Sequence, residues 1–423
     1  MDDQLLHTPE GVRDIYADEC ARKLAVQRRI SQVFHLYGYQ PIETPVFEFF
    51  DIFSKERGSV GSRELYKLFD RDNNTLVLRP DMTPPIARCA AKYFMDEDGP
   101  IRLWYGAPTF INSSSYQGRL KETTQTGVEL IGDDSSDADA EMIALVIEAL
   151  KAAGLAEFQV ELGQVEFYRG LVEEAGMDGE TEEQLRTLID HKNYFGVEEL
   201  LSELPIKPEL KELFFKLPEL FGDIENIRLA RSMTENPRAV RAIQRLEQVQ
   251  ELLDAYGLGD YVCYDLGMLS KYSYYTGIIF KAYTYGTGEY VVTGGRYDKL
   301  LEQFGKKAPA VGFAIVIDQL MLALSGQKIS VPIDRTVTAV LYERSARESG
   351  IRLAEHFRKN QLGVQLVRRR SASDVTAYLA WARRQGLRNV LYLPGDGSQV
   401  LAYDAEKETY DTLSLSDYLG GMP

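Results

Sequence analysis

The residues in this chain best suited to chemistry are Asp81, which follows Leu-Arg-Pro, then Gln125 and Glu129, and the pair Tyr274-Tyr275. Gln125, Gly127 and Glu129 alternate, so in a strand they share one face. Two carboxylates, an amide and two phenols can surround a small cation, because carboxylates accept from an ammonium and ring faces pack against a flat group. A free amino acid has that chemistry. The same residues also suit a solvated strand face with tyrosines laddered across strands, and spacing alone leaves both readings open.

Other motifs lead less far. Thr-Gly-Gly-Arg-Tyr-Asp at 293–298 is expected to turn tightly at Gly294-Gly295, the alternative being a backbone cradle for a phosphate. The acidic run after Leu130 reads as a helix start capped by Asp137. No Walker pattern, dinucleotide fingerprint or nucleophile elbow is present. Cys20, Cys89 and Cys263 lie far apart, and His7, His35, His191 and His356 show no metal-ligand spacing. Neither a metal nor a cofactor is expected.

The elements that must position the candidate site follow from periodicity. Val26, Ile30, Val33, Phe34 and Tyr37 make the apolar stripe of a helix over Ala17–Tyr37, ended by Gly38. Leu65–Phe69 and Thr75–Arg79 read as antiparallel strands around Asp72-Asn73-Asn74. Ile101–Tyr105 and Glu122–Leu130 form a second, long-looped hairpin, followed by a helix ending at Gly154 and a strand over Phe158–Leu162. Between about 170 and 256 the pattern turns helical, with a capping box at Thr181/Gln184 and a cap at Asn236-Pro237. Strand character resumes over Lys271–Tyr290, followed by a helix at Asp298–Phe304 and an apolar segment at Val311–Leu324.

This organisation predicts an α+β domain over residues 1–324 with a helical insertion, a linker at 325–335 and a small C-terminal α/β domain over 336–423. With 48 basic against 64 acidic residues, the net charge of −16 argues against generic binding to phosphate backbones. The first residues are acidic and no apolar run approaches the roughly 18 residues of a membrane span, so a cytoplasmic protein with no membrane contact is expected.

Several collinear blocks make a family recognisable. Thr8–Asp14, Gly38–Glu48, Leu78–Thr83, Arg102–Gly132, Ser273–Phe280, Gly294–Asp298 and Pro309–Ile315 resemble, in order and spacing, the catalytic domain of histidyl-tRNA synthetase. The resemblance implies the class II synthetase fold, an antiparallel sheet flanked by helices, dimeric across the segment around Pro45. It assigns histidine binding to Asp81, where the family has Glu, and to Thr83, Gln125, Glu129, Tyr274 and Tyr275.

The departures from that pattern bear on activity. Ile111 stands where the family has the arginine holding the α-phosphate and substrate carboxylate, Ser270 where an arginine promotes adenylation, and Gln319 where one grips the γ-phosphate. Each lost charge-assisted contact costs about 1.5–3 kcal/mol. Losing one donor to developing charge costs roughly a hundred- to a thousand-fold in rate. The ATP half of the site is thus lost while the amino-acid half is kept.

That combination resembles the regulatory-subunit family of ATP phosphoribosyltransferase, a synthetase-like paralogue with no active site of its own. The resemblance implies a homodimer within a hetero-oligomer, partnered by a short-form catalytic subunit, with L-histidine as effector and no tRNA. The competing readings are a histidyl-tRNA synthetase or a paralogue serving another amino acid or protein. Arg119 or Lys121 are candidates to replace the lost partner of the histidine carboxylate. The C-terminal domain resembles only loosely an anticodon-binding module, and Arg368-Arg369-Arg370 fits a solvated cluster better than an RNA contact.

Overall fold

A computed structural model describes residues 6–53, 60–113, 120–269, 274–370, 374–407 and 409–420. The chain divides into two units, residues 1–332 and 333–423. The first begins with α1 (Ala17–Leu36), which buries Val26, Ile30 and Phe34, three residues of the anticipated stripe. Strands β1 (Gln40–Pro41), β2 (Phe47–Phe49), β3 (Lys67–Phe69) and β4 (Thr75–Leu78) follow, then α2 (Thr83–Tyr93). Strands β2, β4 and β3 pair antiparallel in a sheet of their own. The β3–β4 turn is built by Asp70, whose carboxylate accepts the amides of Asp72 and Asn74, while Asn73 takes the left-handed conformation at φ 62°.

Strands β5 (Ile101–Phe110) and β6 (Glu122–Ile131) form the long hairpin, with β5 running well past the expected Tyr105. Helix α3 (Ser136–Ala153) is capped by Ser135, whose hydroxyl accepts the Ala138 amide; the expected cap, Asp137, lies in the first turn instead. It ends at Gly154 with φ 104°, a left-handed residue that terminates helices well. Strand β7 (Gln159–Gln164) leads into helices α4 (Val165–Ala175), α5 (Gly179–Asp190), α6 (Tyr194–Glu203) and α7 (Pro208–Lys216). Asp178, not the Thr181/Gln184 box, caps α5, because its carboxylate reaches the Thr181 amide. After β8 (Phe221–Gly222) and α8 (Ile224–Ser232), α9 (Pro237–Ala255) starts as expected, with Asn236 Oδ1 accepting the amides of Arg238 and Ala239.

Strands β9 (Val262–Asp265), β10 (Ile278–Tyr283), β11 (Val292–Arg296) and β12 (Ala310–Val316) complete a nine-stranded sheet, and α10 (Ile317–Gly326) follows. Its order is β1-β5-β6-β12-β11-β10-β7-β9-β8, antiparallel except at β1/β5 and β7/β9. Only a short 3-10 turn, Leu301–Phe304, replaces the helix expected at Asp298–Phe304.

Gly294 and Gly295 do not form a turn; both sit inside β11, paired with Phe280 and Ile279 of β10 and with Phe313 and Gly312 of β12. Their glycine identity answers to packing. A Cβ on Gly294 would lie 2.5 Å from the Phe280 ring and 2.6 Å from the Gly312 carbonyl oxygen, and one on Gly295 would lie 2.8 Å from the Tyr275 ring. Nearby, Asp139 of α3 is fully buried between Arg296 and Arg245, each guanidinium nitrogen 2.7 Å from a carboxylate oxygen. This pairing ties α3 and α9 to the end of β11.

The second unit runs β13 (Thr338–Tyr342), α11 (Arg347–Lys359), β14 (Val364–Arg368), α12 (Val375–Arg384), β15 (Asn389–Leu393), β16 (Gln399–Asp404), β17 (Tyr410–Ser414) and α13 (Leu415–Gly420). Its sheet order is β14-β13-β15-β16-β17, with β13 parallel to both neighbours and the last two strands antiparallel. Arg368 and Arg370 are exposed, whereas Arg369 donates to Glu343 at 2.8 Å and to the Tyr392 hydroxyl at 3.1 Å, so the middle arginine serves the fold. Among the described residues no helix is long and apolar enough to cross a membrane.

Two outcomes test this packing. Gly294→Ala should destabilise the protein by roughly 1–3 kcal/mol, read from the urea midpoint, while Gly288→Ala, with nothing within 4 Å of its Cβ, serves as a neutral control. Asp139→Ala strands two arginines and should cost about 3–5 kcal/mol in the same assay.

Candidate functional site

A pocket opens where α2 and the Tyr274-Tyr275 segment meet the middle of the large sheet. Its wall includes Asp81, Thr83, Gln125, Tyr274 and Tyr275, so tertiary structure gathers five of the six candidate residues from distant stretches of chain. Val60, Pro80, Ile111, Thr293, Tyr297, Gly312, Phe313 and Ala314 complete it.

Asp81 has a double role. Its Oδ1 accepts the Met82 amide at 2.7 Å, beside the start of α2, where the helix dipole favours a negative charge. Its Oδ2 accepts the Tyr274 hydroxyl at 3.2 Å, which fixes that ring against the pocket. Tyr274 in turn meets Tyr275 edge-on, with centroids 4.9 Å apart, and Tyr297, with centroids 6.0 Å apart. The Tyr275 carbonyl accepts from Arg169 Nη2 at 3.0 Å, and Arg169 pairs with Glu166, which also pairs with Arg238 of α9. The pocket is therefore braced by the helical insertion.

Glu129 is the candidate residue that stands behind the wall. It is 1% exposed, accepts from Thr83 Oγ1 at 2.8 Å, and accepts from the Tyr297 hydroxyl through its other oxygen. That second oxygen occupies the space a side chain at Gly312 would need, so a glycine in the wall brings the carboxyl up to the cavity. Burial pushes the Glu129 carboxyl up to about 8, against the pull of the Tyr297 and Thr83 hydrogen bonds, and near neutral pH it holds a proton. Burial followed by the same carboxyl drives the Tyr297 phenol well above its ordinary range, so it stays a donor.

Gln125 lies on β6 opposite Ala107 of β5 and Val316 of β12. Its side-chain oxygen is buried and has no hydrogen-bond partner among the described residues. An unpaired buried acceptor costs about 1–3 kcal/mol, so a wall that carries one is arranged to meet a donor.

The residues that sequence reasoning missed are chiefly Tyr297 and Gly312. Tyr297 lies in the Gly-Gly-Arg-Tyr-Asp block, whose paired glycines suggest a turn; its signal is a phenol immediately after a strand that also carries Arg296. Ile111, one of the positions where the resemblance leads one to expect arginine, lies on the wall, while Gln319 is half-buried on α10 and is not part of it. Lys121 is absent from the wall and packs its stem over Gly11. Arg119 and Ser270 lie outside the described residues. No cluster of potential metal ligands occurs among the described residues.

Comparison with known proteins places this geometry. The family described as histidyl-tRNA synthetase matches residues 11–320. The ATP phosphoribosyltransferase regulatory subunit of Acetivibrio thermocellus is 40% identical over 98% of both chains, and that of Ruminiclostridium cellulolyticum is 39% identical over 96% of this chain and 98% of its own. A crystal structure from Bacillus halodurans described as an ATP phosphoribosyltransferase regulatory subunit/histidyl-tRNA synthetase superposes with a TM-score of 0.82 at 34% identity, covering 92% of this chain and 98% of its own. A Nostoc histidyl-tRNA synthetase superposes at 0.80 with 20% identity, covering 98% of each chain, which establishes the shared class II fold. Similarity of this extent, spanning both units and the pocket alike, means that the chain belongs to the ATP phosphoribosyltransferase regulatory subunit family, built on the histidyl-tRNA synthetase fold.

Proposed function

We propose that this chain acts in the cytoplasm as a non-catalytic regulatory subunit, activating a short-form ATP phosphoribosyltransferase catalytic subunit and making it sensitive to L-histidine. The assembly is a hetero-oligomer containing a homodimer of this chain, in the first step of histidine biosynthesis, with no role for tRNA. Histidine binds through Asp81, Thr83, Gln125, Glu129, Tyr274 and Tyr275. The observation that supports this reading is the pocket wall: a buried Gln125 oxygen with no hydrogen-bond partner among the described residues, Asp81 and two tyrosines surround a cavity that Ile111 also lines.

Asp81 accepts from the ligand ammonium, while the faces of Tyr274 and Tyr275 pack against the imidazole. Gln125 takes the remaining donor. Glu129 supplies a second carboxyl whose charge state depends on the ligand, because an ammonium beside it favours the ionised form. None of the described residues on the wall is a cation that could offset the charge developing on a triphosphate, which supports a non-catalytic reading.

Reconstitution with a short-form catalytic subunit should raise its turnover and confer histidine inhibition. No change in either, or histidine-dependent pyrophosphate exchange with ATP by this chain alone, would overturn the regulatory reading. Tyr275→Ala and Gln125→Ala should each weaken histidine binding at least ten-fold by calorimetry while the circular dichroism spectrum is retained; unchanged affinity places histidine elsewhere.

The pH dependence has a definite sign. Glu129 is protonated in the empty pocket up to about 8, against an ordinary value of 4.5, so a cationic ligand must expel that proton. Histidine binding should release a proton near neutrality and tighten from pH 6 towards pH 8, seen as a buffer-dependent binding enthalpy. Glu129→Gln should abolish that release.

A further inference from the structure

The segment Tyr275–Gly277 carries the second pocket tyrosine into β10, and its backbone is held from two directions. The Thr276 amide donates to the Arg296 carbonyl at 2.8 Å and its hydroxyl to Asp298 at 2.9 Å, which ties the segment to the end of β11. The carbonyls on either side of Thr276 accept from the start of α4: Gly277 from the Val165 amide at 3.1 Å, and Tyr275 from Arg169 Nη2 at 3.0 Å. The first link is main chain on both sides, whereas the second hangs on one side chain. Arg169 also donates through Nη1 to Glu166 at 3.0 Å, and Glu166 takes two further bonds from Arg238 of α9, at 2.6 and 3.1 Å. Helices α4 and α9 meet closely at Gly170, where a Cβ would lie 2.8 Å from Asn236 Oδ1 and 3.0 Å from the Ala239 nitrogen. The Gly170 carbonyl accepts from Asn236 Nδ2 at 3.1 Å. A displacement of Tyr275 is therefore passed to two helices packed without slack.

We infer that Arg169 is a positioning residue through which occupancy of the pocket is linked to the α4–α9 pair, so that histidine binding orders the helical insertion as well as the pocket. This rests on the histidine-binding reading above and adds the regulation of that site. A guanidinium suits the task because its planar fork presents donors in two directions at once, here to a carbonyl and to a carboxylate, where an ammonium is a single point of charge. Arg169 and Arg238 are 36% and 35% exposed, so their ion pairs supply direction more than stability. Linkage is reciprocal: if a fixed Tyr275 favours the ligand, the ligand favours a fixed Tyr275 and with it an ordered insertion. The insertion thereby becomes a surface on which a second protein senses histidine without reaching the pocket.

The test joins calorimetry to amide hydrogen exchange on the full-length protein. In the unaltered chain, saturating L-histidine should slow exchange by about three-fold or more in α4 and in the first turn of α9, as well as in β6. Arg169→Ala should bind histidine about ten-fold more weakly, the cost of a charged donor lost from one carbonyl. At saturation it should still protect β6 while leaving α4 and α9 as they are in the empty protein, a split that a merely structural role would not produce. Lys207→Ala removes a positive charge from the same insertion, where Lys207 pairs with Glu174 of α4 at 3.4 Å, and should change neither affinity nor protection. The inference is overturned if histidine leaves exchange in α4 and α9 unchanged in the unaltered protein, a measurement that needs no variant. It is overturned equally if Arg169→Ala, folded by its thermal midpoint, binds histidine undiminished, or if Lys207→Ala weakens binding as much. Histidine that fails to bind the unaltered protein, or binds unchanged in Gln125→Ala, sinks the histidine-pocket reading and this inference with it. Lost linkage beside a weakened Gln125→Ala sinks the inference alone.

Discussion

Close approach of backbone at the centre of the nine-stranded sheet is the constraint on which the site depends. Gly127 of β6, Gly294 and Gly295 of β11 and Gly312 of β12 leave a bare strip, and a Cβ at any of them would enter another group's volume. At Gly312 that volume belongs to the Glu129 carboxyl, at Gly294 to the Phe280 ring and at Gly295 to the Tyr275 ring. Glycine in a strand interior normally weakens it. Here the loss is offset by aromatic rings and a carboxyl that can lie flat against the sheet, and without that strip neither Tyr275 nor Glu129 would reach the pocket.

Two ion-pair groups hold the surroundings of that strip. Asp139 joins α3 to Arg296 at the end of β11 and to Arg245 of α9. Glu166, Arg169 and Arg238 join α4 to α9, and Arg169 extends the group to the Tyr275 carbonyl. The Asp139 group is buried, so it adds little net stability but penalises rearrangement strongly, whereas the Glu166 pairs are half-exposed and act mainly by positioning. The helical insertion thus fixes the backbone on which one pocket tyrosine is mounted.

Local signals translated into structure where one residue's conformational preference decided the outcome. Asn73 took the left-handed turn, Gly154 ended α3 and Asn236 opened α9. Where two neighbours competed for one role, the choice went the other way: Ser135 rather than Asp137, and Asp178 rather than Thr181, because a cap must present its oxygen to an amide two or three residues on. Gly294 and Gly295 lie in a strand rather than the expected turn for a deeper reason: glycine marks equally a turn and a close approach, and only the neighbouring strands distinguish them.

The sequence by itself determined the α+β class, the order of the elements and the chemical types at the site: Asp81, Thr83, Gln125, Glu129, Tyr274 and Tyr275. These are matters of composition and short-range periodicity, which the chain states directly. Tertiary structure alone decided that Asp81 both accepts an amide just before α2 and orients Tyr274, that Glu129 stands behind the wall with its proton retained, and that Tyr297 holds it there. Burial and hydrogen-bond partners depend on residues scores of positions apart, and no local pattern records which of them will meet.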